Sequence, residues 1–184
     1  MIFFDTDCIS AFLWVKREDL LVKLKLGRLI LPQAVMGELL NPSVPHLGQR
    51  ARNLLSVGHV ETMDIMTGTE EAALFKQMTT KPLPGLKPIG KGEAAALVLA
   101  RAHNGIIASN NISDISYYVR EYNLPRMTTG YFLGKAYEAG LISDNDANKI
   151  WSDMLARKRL LPSPSFSKYY AVVYPQDQVA AGSQ

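Results

Sequence analysis

Ile2-Phe3-Phe4-Asp5-Thr6-Asp7-Cys8-Ile9-Ser10-Ala11-Phe12 is the stretch on which the fold turns. Three consecutive apolar residues closed by an acid read as a short strand buried on both faces. A helix is expected next, from about Cys8 to Val15. Asp7 is its expected N-cap, because an aspartate there accepts a bond from one of the orphan N–H groups of the first turn. A strand running straight into a helix opens a βα unit, and the same pattern recurs along the chain.

Leu29-Ile30-Leu31 is a second apolar triplet, followed by Pro32 and a helix over 33–40 that Asn41-Pro42 ends. Ile106-Ile107-Ala108 is a third, leading through Ser109-Asn110-Asn111 into a helix that starts at Ser113 or Asp114 and runs to about Tyr122. Between them the pattern predicts helices over 18–26 and 48–57, an edge strand over 59–63 and a helix over 69–78 capped by Thr69. Residues 81–92, rich in Pro and Gly, read as a surface loop. The run Ala94-Ala95-Ala96-Leu97-Val98-Leu99-Ala100 makes 93–101 the strongest helix by propensity. A short strand over 126–128 and helices over 130–139 and 144–159 follow, the last capped by Ser143. Pro162, Pro164 and the nearby serines mark 161–184 as a loosely ordered tail. Strands alternating with helices predict an α/β fold with a central, mainly parallel sheet, and residues 1–160 are expected to form one domain.

Composition fits this reading. The chain has 184 residues, 47% hydrophobic and 20% charged, which excludes a disordered polymer. Lys and Arg number 20 against 17 Asp and Glu, and a net charge of +3 does not by itself mark a nucleic-acid binder. The single cysteine, Cys8, excludes an internal disulfide. Its acidic neighbours Asp5 and Asp7 disfavour a thiolate, so it is expected in the core. The N-terminus has no basic region of the kind that opens a signal peptide. No apolar run approaches the roughly 20 residues of a membrane span. A cytoplasmic protein without a membrane partner is expected.

In parallel α/β sheets ligands sit beyond the carboxyl ends of the strands. The first strand ends at Asp5, with Asp7 two residues on; the second feeds the helix carrying Glu38; the third ends at Asn110-Asn111, with Asp114 beyond; Glu93 opens the helix before it. Singly, each acid can serve as a cap, a dipole complement or a solvated side chain. Together they would repel one another. A hard divalent cation such as Mg²⁺ offsets that repulsion, and it can activate water toward a phosphodiester.

Ile2-Phe3-Phe4-Asp5-Thr6-Asp7 with its helix resembles the opening of a PIN domain. Leu29-Ile30-Leu31-Pro32-Gln33-Ala34-Val35-Met36-Gly37-Glu38-Leu39 is similar to the second motif of that family. Gly90-Lys91-Gly92-Glu93-Ala94-Ala95-Ala96 is similar to the third, and Ile106-Ile107-Ala108-Ser109-Asn110-Asn111 holds the place of the fourth. The order matches over about residues 1–130. The resemblance implies a PIN-like three-layer α/β/α domain with a helical C-terminal region. It implies a Mg²⁺- or Mn²⁺-dependent endoribonuclease acting on single-stranded RNA, of the kind that serves as the toxin of a toxin–antitoxin pair, with homodimers common. Carried over by position, Asp5, Glu38 and Glu93 form the metal-holding acidic site. Asn111 is then a neutral oxygen ligand, and Asp114 a compensating acid. One departure stands out: Asn110 and Asn111 occupy positions where the family usually offers an aspartate, so one negative charge is missing.

RNA contacts are expected from Lys87 and Lys91 before Glu93, from Lys16 and Arg17 after the first helix, and from Arg50 and Arg52. Tyr117, Tyr118 and Tyr131 could stack on bases or pack in the core. Arg157-Lys158-Arg159 reads as a solvated helix end. Three further readings remain. One is a PIN-like RNA-binding protein with attenuated catalysis. Another is a phosphatase of the haloacid-dehalogenase type, with Asp5 as nucleophile and Asp7 as acid. The last is a partner surface in which Leu20, Leu21 and Leu24 dock an antitoxin helix, unless they simply pack the core.

Overall fold

The computed structural model describes residues 1–182. Five strands, β1 (Ile2–Phe4), β2 (Leu29–Pro32), β3 (Glu61–Met63), β4 (Ile106–Ala108) and β5 (Arg126–Met127), form one parallel sheet in the order β3-β2-β1-β4-β5. The described helices are α1 (Thr6–Val15), α2 (Asp19–Leu24), α3 (Gln33–Leu39), α4 (Pro45–Ser56), α5 (Glu70–Thr80) and α6 (Lys91–Ala102), then α7 (Ile112–Glu121), α8 (Thr129–Glu138), α9 (Asp144–Ala156), α10 (Phe166–Val172) and α11 (Tyr174–Ala180). The α/β class and the parallel sheet are as the sequence predicts.

The two-residue period of a strand sends alternate side chains to opposite faces. Ile2, Phe4, Leu29, Leu31 and Ala108 join a core with α1, α3, α4 and α8 to α10. Phe3, Ile30 and Ile107 join a second core with Met78, α6 and α7. The sheet is thus covered on both sides, which is why its strands read as continuous apolar runs. Gly105 permits the tight turn into β4, since a Cβ there would lie 2.6 Å from the Phe3 ring. Cys8, Leu20 and Leu21 are buried, so these leucines pack the core and offer no docking groove. Among the described residues no helix is long and apolar enough to cross a membrane.

Three expectations need correction. First, α1 starts at Thr6, and Asp5 caps it in place of Asp7: Asp5 Oδ1 accepts from the Cys8 N–H at 2.7 Å. Second, the Pro/Gly loop ends at Gly90, so Lys91 and Gly92 belong to the first turn of α6. Third, the segment expected to be a loose tail forms α10 and α11, with Phe166, Tyr169 and Tyr174 buried in the first core. Gly130 and Gly134, one turn apart on α8, make the groove that receives them. A Cβ on Gly130 would sit 2.4 Å from the Tyr169 ring, and one on Gly134 would sit 2.2 Å from Tyr174. Trp151 Nε1 pins the connecting loop by donating to the Ser163 carbonyl at 2.8 Å. Of the expected tail, Ser183 and Gln184 lie outside the described residues.

Candidate active site at the carboxyl end of the sheet

The chain builds outward from β1 through β2 to β3, then crosses back to β4 and β5, so the strand order reverses between β1 and β4. Such a switch point leaves a crevice at the carboxyl ends. Asp5 stands at its floor: its N–H donates to the Ala108 carbonyl at 2.9 Å, extending the ladder one residue past β1. α1, α7 and α8 each open just after β1, β4 and β5, so the positive ends of their dipoles converge there. Acids at this edge are favoured by the fold before any ligand is considered.

A cavity of about 290 Å³ lies above that floor, lined by Thr6, Asp7, Ser10, Glu38, Gly90, Gly92, Glu93 and Arg159. Glu38 comes from α3 and is held at two points. The Thr6 hydroxyl donates to Oε2, and the Gly92 N–H donates to Oε1 at 3.0 Å. Gly92 has to be glycine for this, because a Cβ would fall 2.5 Å from Thr6 Oγ1 and 2.8 Å from Glu38 Oε2. Glu93 folds back so that Oε2 accepts from the Gly90 N–H at 3.0 Å, and its Oε1 accepts from Asn111 Nδ2 at 2.8 Å. The same Asn111 amide donates to Asp114 Oδ2 at 2.7 Å. An aspartate there could only accept; the asparagine bridges two carboxylates that would otherwise repel. Asn110 acts alike, donating to Asp7 Oδ2 at 3.2 Å and to Thr129 Oγ1 at 2.9 Å, while its Oδ1 accepts from the Thr129 N–H at 2.8 Å.

Asp5 differs from its neighbours. It is fully buried beneath the cavity, and Oδ2 has no hydrogen-bond partner. The Ser109 hydroxyl beside it eases the cost without completing a bond of normal geometry. Burial pushes the carboxyl up to about 7, against the pull of Ser109 and the Cys8 N–H, and the charges of Asp7 and Glu93 add to the rise. Burial likewise drives the Cys8 thiol upward, with Asp5 adding to it, so Cys8 is a core residue and not a nucleophile.

The expected residues therefore divide. Glu38 and Glu93 line the cavity, Asp5 lies under it, and Asn111 and Asp114 extend it sideways as a hydrogen-bonded chain. Two charged lining residues, Asp7 and Arg159, stand outside the metal-holding set that the sequence predicts. Asp7, the expected cap of α1, faces the cavity instead. Arg159, read as solvated, instead reaches from the loop after α9 to Asp7 Oδ1 and Ser10 Oγ, each at 3.3 Å. Among the described residues it is the one cation lining this cavity. Of the expected RNA-contacting cations, Lys16 and Arg17 lie at the far end of α1, about 15 Å along the helix, and Arg17 pairs with Asp19 at 3.1 Å. Arg50 pairs with Glu18. Lys91 is exposed on the first turn of α6, next to the lining residues Gly90 and Gly92, and Lys87 lies further out on the loop. Tyr118 and Tyr131 are buried, so only Tyr117 of the three tyrosines is placed to stack.

Among the described residues no group of three or more His, Cys, Asp or Glu side chains forms a ready metal cage. The donors present nevertheless suit a small hard cation. Mg²⁺ commonly takes one or two carboxylates and keeps its waters, and Asp5 Oδ2 is a buried oxygen without a partner beside the negative charge of Glu93. Comparison with known proteins finds no family model that matches the chain, no matching curated protein and no matching solved structure.

Proposed function

We propose that the chain is a Mg²⁺- or Mn²⁺-dependent endoribonuclease of PIN-like design acting on single-stranded RNA. The observation that carries this reading is the unpartnered, fully buried Asp5 oxygen under a cavity lined by Asp7, Glu38 and Glu93. A carboxylate left in that state is costly unless something positive completes it. Asp5 and Glu93 would hold the cation, with Asn111 turning its amide oxygen inward on loading. When bound, the cation supplies a Lewis acid beside a phosphate. Glu38, fixed by Thr6 and Gly92, orients water at the cavity wall. Arg159 exchanges its partly exposed contact with Asp7 for a phosphate oxygen. The segments that resemble the PIN motifs are far apart in sequence yet meet at this one edge, which supports the PIN-like reading. Its corollaries belong to the same proposal: a toxin restrained by an antitoxin in the cytoplasm, and a homodimer.

The purified chain is expected to cut a single-stranded oligoribonucleotide in Mn²⁺. EDTA and Glu93→Gln should each abolish the cut. Cleavage that survives both overturns the reading. Asn110 and Asn111 favour a second one, an RNA-binding protein with attenuated catalysis, and salt-sensitive binding without turnover would select it. The phosphatase alternative has the least support, because Asn110 and Asn111 stand where it would need further acids.

A further inference from the structure

A separate cavity of about 410 Å³ opens between the loop Gly85–Ile89 and one face of α7. From α7 it is lined by Ser113, Tyr117 and Arg120, whose spacing of three to four residues puts them on one helical stripe. From the loop it is lined by Lys87. Lys87 and Arg120 are both exposed, and neither belongs to an ion pair among the described residues. Tyr117 is half-buried and braced edge-on by Tyr118, with ring centroids 5.3 Å apart. Tyr118 lines the same cavity with 2% exposure, and its hydroxyl is buried with no hydrogen-bond partner. An aromatic face beside two cations is the combination that a base and its phosphate require.

We propose that this cavity is a nucleotide subsite for single-stranded RNA. The base lies against Tyr117, and the phosphate sits between Lys87 and Arg120. The inference rests on the ribonuclease reading for its choice of RNA. The link to the acid pocket is structural: Asp114 lines this cavity and is joined through Asn111 to Glu93 by bonds of 2.7 and 2.8 Å. Asp114 is the acid that faces the cavity, and its oxygens are taken up by Asn111 and Ser113, which leaves the two cations to set the local field.

The test is binding of a labelled ten-nucleotide oligoribonucleotide in EDTA, followed by anisotropy over a salt series. Lys87→Ala with Arg120→Ala changes only exposed side chains and is expected to lower the log–log salt slope by about 0.7, the value for one phosphate contact on a single strand. Tyr117→Ala should weaken binding roughly 5- to 150-fold, as loss of a stacked base does. Tyr117→Phe should retain affinity, and an abasic oligomer should bind wild type and Tyr117→Ala alike. Unchanged slope in the double variant, wild-type affinity in Tyr117→Ala, or no RNA binding by the wild-type chain overturns the subsite. The two readings fail separately. A wild-type chain that never cleaves but shows these slopes in EDTA keeps the subsite and loses the nuclease. Cleavage with binding insensitive to Lys87, Arg120 and Tyr117 does the reverse.

Discussion

Two buried aspartates divide the molecule. Asp177, on α11, is 4% exposed and fully served: Thr128 Oγ1 and the Tyr169 hydroxyl each donate to Oδ2 at 2.7 Å, and Arg126 Nη1 stands 3.6 Å from Oδ1. Asp5, at the end of β1, is as deeply buried and has one firm donor, the Cys8 N–H, for its two oxygens. The first arrangement is what a structural carboxylate needs, since burial is tolerable once the lone pairs are filled. The second keeps a costly oxygen free next to further acids. The contrast is what the proposed chemistry at the carboxyl end of the sheet predicts, with the C-terminal helices serving as structure.

The comparison breaks most directly by removing each acid. Asp177→Ala strands two buried hydroxyls and a guanidinium, and is expected to cost about 3–5 kcal/mol in urea unfolding. Asp5→Asn should behave in the opposite sense as pH changes. In the folded chain Asp5 titrates near 7, above its ordinary 3.8. Below about pH 4 both states hold the proton and there is no penalty. Between the two values the folded chain retains a proton that the unfolded chain has lost, so this group's contribution falls as pH rises, levelling above 7. Measured in EDTA, the stability of Asp5→Asn relative to wild type should therefore rise by up to about 4 kcal/mol from pH 4 to pH 8. A flat difference would place Asp5 in the same class as Asp177.

Two glycines sharpen the same division at smaller amplitude. Gly134 faces the buried Tyr174 ring, which has nowhere to go, so Gly134→Ala should lower stability by about 1–3 kcal/mol. The groups facing Gly92 are the polar ends of Thr6 and Glu38, on residues that are not buried and can swing outward. Gly92→Ala should unfold close to the wild-type urea midpoint yet lose Mn²⁺-dependent cleavage, because Glu38 loses both of its anchors. Equal stability losses in the two variants would remove the distinction between site and scaffold.

The division was half legible in the sequence. β1, β2 and β4 are apolar triplets with an acid, a proline or a polar run at the end, and their burial on two faces is what made them readable. The Glu38 and Glu93 positions followed from the same punctuation. Asp5 and Asp7 are both good caps after a strand; only the ladder bond from Asp5 N to Ala108 O, a contact 103 residues distant, decides which one turns inward and caps α1. The C-terminal helices are masked in the sequence by Pro162, Pro164 and the serines, which signal a loop. The opposing signal was there in Phe166, Tyr169, Tyr170 and Tyr174, spaced for one helical face, and in Gly130 and Gly134 spaced to receive them. No local pattern could have placed Arg159, whose partners Asp7 and Ser10 lie about 150 residues away.

Arg159 therefore gives the smallest and most diagnostic test. Its pair with Asp7 is 3.3 Å long between side chains about a quarter exposed, a geometry worth about 0.2–1 kcal/mol, so Arg159→Ala should leave stability nearly unchanged. Removing the cation makes the acid cavity more negative, and Mn²⁺ should bind the variant more tightly in a calorimetric titration. Removing it also deletes a phosphate contact, so the salt slope for RNA binding should fall by about 0.7. A structural arginine would change unfolding and leave both of these alone. A phosphate-positioning arginine moves metal and RNA affinity in opposite directions while the fold stays put, because the group that tempers the acids before RNA arrives is the one that holds the phosphate afterwards.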